Sequence, residues 1–323
     1  MSQPVSQRII LIGGPTASGK SALAMGIARQ VQGSIINADA MQIYAGLPIL
    51  TAQPDAKDRD EIPHLLYEVT DASEASSVGK WLALAQAAIE QVLAEGRTPI
   101  LVGGTGMYFK ALLEGLAEIP DIPDAVRDEA EDLYQKWGEE KFRAALAKLD
   151  SESAMRIARN DRQRLVRAYA VATHTGKSLK EWQRERPEAG GQRPENSDNG
   201  LSNGTPPPLA GGGRGWGLLA IPGYEFRLLL PPREELYAAC DKRFLSMIER
   251  GAINEVKKLM ARNLSPALPA MKILGVREIA AHLRGEISLK EAIAKAQQMT
   301  RNYAKRQMTW FRNQWRNIYL NAI

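Results

Sequence analysis

The sequence predicts an α/β fold: a parallel sheet with helices on both faces, interrupted by a helical insertion and closed by C-terminal helices. Three observations predict it. Short apolar runs alternate with amphipathic helical patterns along the first third of the chain. A glycine-rich turn, "GPTASGKS", joins the first run to the first helix. Beyond Pro120 the strand pattern stops and charged helical stretches replace it.

"QRIILIGG" reads as a buried strand, since an unbroken apolar run of that length suits a sheet covered on both faces. The turn at Gly13–Ser21 opens an Ala/Leu-rich helix, and "GSIINAD" is the second strand, ending at Asp39. "WLALAQAAIEQVLAEG" repeats apolar residues at helical spacing and stops at Gly96. "TPILVGG" is the third strand and runs into "TGMYFKALLEG". From Pro120 to about Arg186 the chain reads as charged helices without a strand. The next stretch, "RPEAGGQRPENSDNGLSNGTPPPLAGGGRG", cannot bury a core and is expected to be a disordered or mobile loop. "WGLLAIPG" is expected to return to the sheet, and helices follow, "REELYAACDKRFLSMIERG" being the clearest. The expected division is therefore a first core part at 1–119, a helical insertion at 120–186, a Gly/Pro-rich loop at 187–215, and a return strand with basic helices at 216–323. Parallel sheets bind ligands at the carboxyl ends of their strands, so Gly14–Ser21, Asp39 and Thr105 should converge there.

Composition narrows the function classes. The 323 residues, 44% of them hydrophobic, suffice for real cores. A single cysteine, Cys240, excludes an intrachain disulfide and an all-cysteine zinc site. "MSQPVSQR" carries no signal-peptide pattern and the apolar run after it is too short for a bilayer, so a cytoplasmic protein with no membrane association is expected. A pI near 9.2 favours a polyanionic partner. The charge is unevenly spread, for no acidic residue follows Glu291 while Lys295, Arg301, Lys305, Arg306, Arg312 and Arg316 do. Interleaved with these are Tyr303, Trp310, Phe311 and Trp315, and positive charge with stacking rings suits non-duplex RNA. Some of those rings must anchor the last helix, with Trp310 the expected one.

"GPTASGKS" at Gly14–Ser21 matches G-x-x-x-x-G-K-[ST], after a strand and before a helix, the context that confirms a phosphate loop. Glycines 14 and 19 permit the curl that points N–H groups inward, Lys20 adds a point charge, and Ser21 offers an oxygen to Mg²⁺. A kinase or hydrolase wants a second carboxylate at the end of a neighbouring strand. Here "TPILVGG" ends in Gly-Gly-Thr-Gly, and the one carboxylate closing a strand is Asp39. The loop then suits another use: holding a diphosphate as leaving group while a nucleophile attacks the carbon attached to it.

"GPTASGKS", "INADAMQIY", "PHLL", "PILVGGTGMYFKALLEG", "RNDRQRLVRA", "MKILGVRE" and "TRNYAKRQMTWFRNQ" occur in the order and approximate spacing of bacterial tRNA dimethylallyltransferases, and the chain resembles that family over nearly its whole length. The resemblance implies a P-loop fold and transfer of a dimethylallyl group from its diphosphate to N6 of the adenosine 3′ of the anticodon. It implies Mg²⁺ as cofactor, and tRNA, through its anticodon stem-loop, and dimethylallyl diphosphate as partners of a protein acting as a monomer. Asp39 resembles the family's general base, and Thr105 the threonine at the adenosine and phosphate region, with Lys20 as the third catalytic group. Gly14, Pro15, Thr16, Ala17, Ser18, Gly19, Lys20, Ser21 and Arg233 are the expected diphosphate contacts, with Ser21 on the metal. The expected tRNA contacts are Asp39, Ala40, Met41, Gln42, Thr105, Arg127, Gln163, Arg164, Leu165, Val166, Arg167, Lys272, Arg277, Lys305, Arg306 and Arg312. Arg156, Asn160, Gln163 and Arg167 are expected on one face of a continuous helix.

The chain departs from the family pattern at Ala40, where a serine is usual, and at "LTAQP" (Leu50–Pro54), where a glycine and a lysine are replaced. Three other readings stay open on residues alone: a P-loop kinase, an isopentenyltransferase of free adenine nucleotides, and an RNA-binding ATPase switch. None of the three gives both Asp39 and the basic, aromatic end a task.

Overall fold

The structure is a computed structural model that describes residues 8–185 and 224–314. Five parallel strands form one sheet in the order β3-β2-β4-β1-β5: β1 Ile9–Gly13, β2 Gly33–Asn37, β3 His64–Leu65, β4 Thr98–Gly103 and β5 Tyr224–Leu228. Every residue of β1 and β2 is buried, which is why both read as unbroken apolar runs rather than alternating ones. Ile10, Ile12, Ile35, Ile100 and Val102 form one core with Ala24, Met25, Ile27 and Ala28 of helix α1, Lys20–Val31. The alternate residues face the other way, where α3, Val78–Ala94, and α4, Gly106–Glu114, supply Trp81, Tyr108 and Phe109. Trp81 stacks on Tyr108 with centroids 4.1 Å apart and donates from Nε1 to the Asn37 carbonyl at 2.9 Å.

The described chain forms two compact units, residues 8–113 with 224–314, and residues 114–185. In the first, beyond the helices already named, α2 spans Ala56–Glu61, α9 Arg233–Glu249, α10 Ala252–Ala261, a 3₁₀ turn Pro269–Lys272, α11 Val276–Leu283 and α12 Leu289–Gln314. The second is helical: α5 Asp124–Leu149, α6 Ser151–Arg156, α7 Arg162–Thr175 and α8 Leu179–Arg184. Its core gathers Phe142, Leu146, Leu165, Val166 and Val171, with Tyr134, Tyr169 and Trp182 packed against it.

Four local expectations change. The stretch "WGLLAIPG" lies outside the described residues, and the strand that joins the sheet is the next segment, "YEFRL", paired with β1. β2 ends at Asn37, so Asp39 sits in the turn after it. The two-residue strand β3 at the sheet edge is too short to leave a periodic signal. The arginine-rich stretch is two helices, not one. Asn160 has φ 66°, and the Asp161 side chain accepts from the Arg164 amide and so caps a new helix. Arg156 and Asn160 therefore do not share a helix face with Gln163 and Arg167.

Candidate active site

The loop between β1 and α1 turns at Gly19, whose φ of 86° is the left-handed conformation that a residue without Cβ adopts freely. It delivers Lys20, buried at the first position of α1, and Ser21, exposed beside it. Lys20 Nζ donates to the Pro15 carbonyl at 3.2 Å, a neutral partner that leaves its charge uncompensated by hydrogen bonding. Burial pushes its pKa down to about 8, against the pull of the Asp39 carboxylate, and Arg243 pushes it the same way as burial.

Arg243, on α9, reaches the loop and donates to the Thr16 hydroxyl. Burial lowers its pKa as well, with the Cys240 thiol and Asp39 pulling the other way. Two cations thus stand near one carboxylate in a desolvated place, an arrangement that favours binding of a further anion. Arg233, the arginine expected here, begins α9 with its guanidinium 5.0 Å over the Tyr237 ring.

Asp39 is buried, and its turn is held from several sides. Its amide donates to Asn37 Oδ1 at 2.9 Å, its Oδ1 accepts from the Met41 amide at 3.0 Å, and its carbonyl accepts from the Gln42 amide and from Asn37 Nδ2. Thr105, after β4, accepts from the Ala40 amide at 2.9 Å through Oγ1 and donates its own amide to the Ala38 carbonyl. Tyr303 of α12 stands near Asp39, and burial followed by the Asp39 charge raises the Tyr303 pKa far above its ordinary value. Asp39, Thr16, Arg243 and Tyr303 line a single cavity with the apolar Met41, Leu50, Phe244, Met247 and Ile273, and with Thr51 and Thr300. The arrangement can hold an anion at one end, an apolar group beside it, and a carboxylate within reach of both.

The model of a family described as IPP transferase matches residues 42–314. The chain belongs to the IPP transferase family. A relative from Caulobacter sp. (strain K31), named tRNA dimethylallyltransferase, is 51% identical over 95% of this chain and 90% of its own length. Another of that name, from Rhodospirillum centenum, is 46% identical over 96% and 90%. Among solved structures, the full-length tRNA isopentenylpyrophosphate transferase of Bacillus halodurans superposes with a TM-score of 0.62 at 30% identity, covering 96% of this chain and 88% of that one. A eukaryotic dimethylallyltransferase described as acting on tRNA gives 0.74 at 26% identity, covering 95% and 70%.

Of the other family positions, Met41 lines the cavity while Gln42 turns its side-chain amide to the Thr51 and Ala52 carbonyls. Lys272, Arg277, Lys305, Arg306 and Arg312 are exposed, with Arg306 over the Tyr303 ring at 5.6 Å. Gln163, Arg164 and Arg167 are exposed on α7, whereas Leu165 and Val166 between them are buried and present no side chain to a partner. Arg127 pairs with Asp121 and Asp124 at 3.2 Å each. Arg301 is bound to both Asp241 oxygens, at 2.6 and 2.7 Å, and so ties α12 to α9. The aromatic anchor of α12 is Phe311, wholly buried, while Trp310 is half-buried and meets it edge-on. Trp315 and Arg316 lie outside the described residues.

Three residues at the site had no assigned role in the sequence: Asn37, Arg243 and Gln307. Asn37 and Gln307 stood inside quoted motifs, and only their burial distinguishes them. Arg243 sits in a helix that reads as ordinary and amphipathic.

Proposed function

We propose that the protein transfers a dimethylallyl group from dimethylallyl diphosphate to N6 of the adenosine 3′-adjacent to the anticodon in tRNA, releasing diphosphate. The observation that carries this reading is the pair of desolvated cations, buried Lys20 and part-buried Arg243, beside the lone carboxylate Asp39. A phosphoryl-transfer enzyme of this class needs a carboxylate for its metal; β4 ends in glycines, so Asp39 is free to act as a base.

The diphosphate sits at Gly14–Ser21, against the loop amides, Lys20 and Arg243. The exocyclic amine attacks the allylic carbon, and the carbon–oxygen bond breaks with its electron pair leaving on the diphosphate. Lys20, Arg243 and the loop amides stabilise the charge that develops there, which is the largest contribution expected of such a site. The amine's proton passes to the Asp39 carboxylate, which the Met41 amide holds while Asn37 fixes the Asp39 backbone. Thr105 fixes the adenosine's position, and the apolar wall receives the five-carbon group and excludes water.

Mg²⁺ fits this donor set as an ion carried in by the substrate. Among the described residues no group of three or more His, Cys, Asp or Glu could hold a metal, and the exposed Ser21 hydroxyl would be the ligand that the start of α1 offers, with diphosphate oxygens and water supplying others. Bound there it would neutralise charge on the departing diphosphate. Gln163, Arg164, Arg167, Lys272, Arg277, Lys305, Arg306 and Arg312 would contact tRNA, chiefly its phosphates. The protein would work as a monomer in the cytoplasm; no helix among the described residues is long and apolar enough to cross a membrane.

The test is incubation with unmodified tRNA and either dimethylallyl diphosphate or ATP. Pyrophosphate released mole for mole with prenylated tRNA supports the reading. Consumption of ATP with dimethylallyl diphosphate untouched would reverse it in favour of a kinase.

A further inference from the structure

Gln307 is 6% exposed on α12, and its amide spans the two halves of the site. Its Oε1 accepts from the Thr16 amide in the anion loop at 2.8 Å, and its Nε2 donates to the Gly104 carbonyl at 2.8 Å. The partners fix the amide's orientation, because a backbone N–H can only donate and a carbonyl can only accept. Gly104 comes directly before Thr105, and a Cβ built on it would collide with Gln307 Nε2 and stand 3.3 Å from Asp39 Oδ2. Thr16 is also where Arg243 meets the loop. One side chain thus ties the anion loop to the turn that carries Thr105, beside Asp39.

We propose that Gln307 is a positioning residue that sets the register between the anion loop and the Gly104–Thr105 turn, and thereby the distance from the bound diphosphate's carbon to the attacking amine. This rests on the reading of those loops given above. A buried amide bonded at both ends between backbone groups is costly to leave half-made, so it holds the two loops at one separation. In-line attack is sensitive to that separation, since misplacement by about 1 Å costs on the order of 10²-fold.

Two variants test it. In Gln307→Leu both bonds are lost with little change in volume; kcat on tRNA is expected to fall roughly 10–100-fold, with both KM values within about threefold and cooperative thermal unfolding retained. A loss carried by KM alone, or a near-normal kcat, overturns the proposal. Gln307→Glu keeps the acceptor for Thr16, but its ionised form cannot donate to Gly104. Its protonated form can. Burial raises a carboxyl's pKa, so its kcat relative to the unsubstituted chain should either stay near one or climb towards one between about pH 8 and about pH 6. A ratio that stays low, or falls as the pH is lowered, contradicts the donor role.

A third readout is independent of turnover. Inorganic pyrophosphate at the loop should slow amide exchange in the Gly104–Met107 turn of the unsubstituted chain, and not in Gln307→Leu. Protection that persists in the variant, or is absent from the unsubstituted chain, overturns the coupling. Failure to prenylate tRNA would instead reject the function without changing this result.

Discussion

The cations of this protein are of two kinds. Lys20 and Arg243 lie in a desolvated site that offers them Asp39 and neutral groups. The arginines of residues 114–185 are exposed apart from part-buried Arg143, and several have an acid partner: Arg127 with Asp121 and Asp124, Arg156 with Glu152, Arg162 with Glu131, Arg164 with Asp161. Side chains of Arg127 and Arg164 are 53% and 77% exposed, so these pairs contribute little and can be exchanged for a phosphate at small cost. A buried cation is different, because removing it from water is paid back only by an anion. The first kind points to a ligand by itself. The second kind points to one only together with other evidence.

The largest way to break this contrast is to remove the one carboxylate beside the desolvated cations. Asp39→Asn keeps the shape of the turn but is a far weaker base, and turnover is expected to fall roughly 10²–10⁴-fold with both substrates still bound. Single-turnover rates with separate binding titrations check this. Near-normal turnover would leave Asp39 a turn residue only.

Arg243→Gln comes next. It removes the charge and leaves a side chain able to reach Thr16, so kcat/KM for dimethylallyl diphosphate should drop on the order of 10²-fold. Steady-state kinetics at saturating tRNA measures it, and an effect confined to tRNA would move Arg243 out of the diphosphate site.

A smaller effect follows from Lys20 with its pKa lowered from 10.5 to about 8. The unfolded chain holds that proton up to higher pH, so between those two values the free protein gains stability from this group as pH rises. Diphosphate binding needs the ammonium form, so affinity should decline as pH rises past about 8, at most tenfold per unit. Calorimetric titration of pyrophosphate against Lys20→Arg, in which the decline should vanish, isolates the contribution.

The smallest effect belongs to the exposed set. Replacing Arg164 and Arg167 with Ala should weaken tRNA binding several-fold and reduce the slope of log affinity against log salt by up to about 2, while diphosphate affinity holds. An unchanged slope would take α7 out of the RNA site.

What could be read in advance follows the same division between local and distant. The phosphate loop, α1 and the place of Asp39 at the carboxyl end of the sheet were legible because each rests on neighbours in sequence: a fixed spacing of glycines, a lysine after the second, a carboxylate closing an apolar run. Arg243 and Gln307 were not, since each meets the loop across more than two hundred residues of chain. Nothing in "DKRFLSM" distinguishes Arg243 from Lys242 beside it, or from Arg250 just past the helix, until α9 is laid beside Thr16. The arginine-rich stretch failed for a local reason: a single cap at Asp161 outweighs helical propensity on both sides of it. Phe311 and Trp310 are adjacent in sequence, and only the direction of α12 decides which of the two rings is buried.

The central claim, that the desolvated cations serve the diphosphate and the exposed ones the RNA, is tested most directly by Lys20→Ala titrated separately with each substrate. Affinity for dimethylallyl diphosphate should fall by roughly tenfold or more while affinity for tRNA stays unchanged. Collapse of tRNA affinity with diphosphate binding intact would mean that the loop grips the nucleic-acid backbone, and would contradict the account.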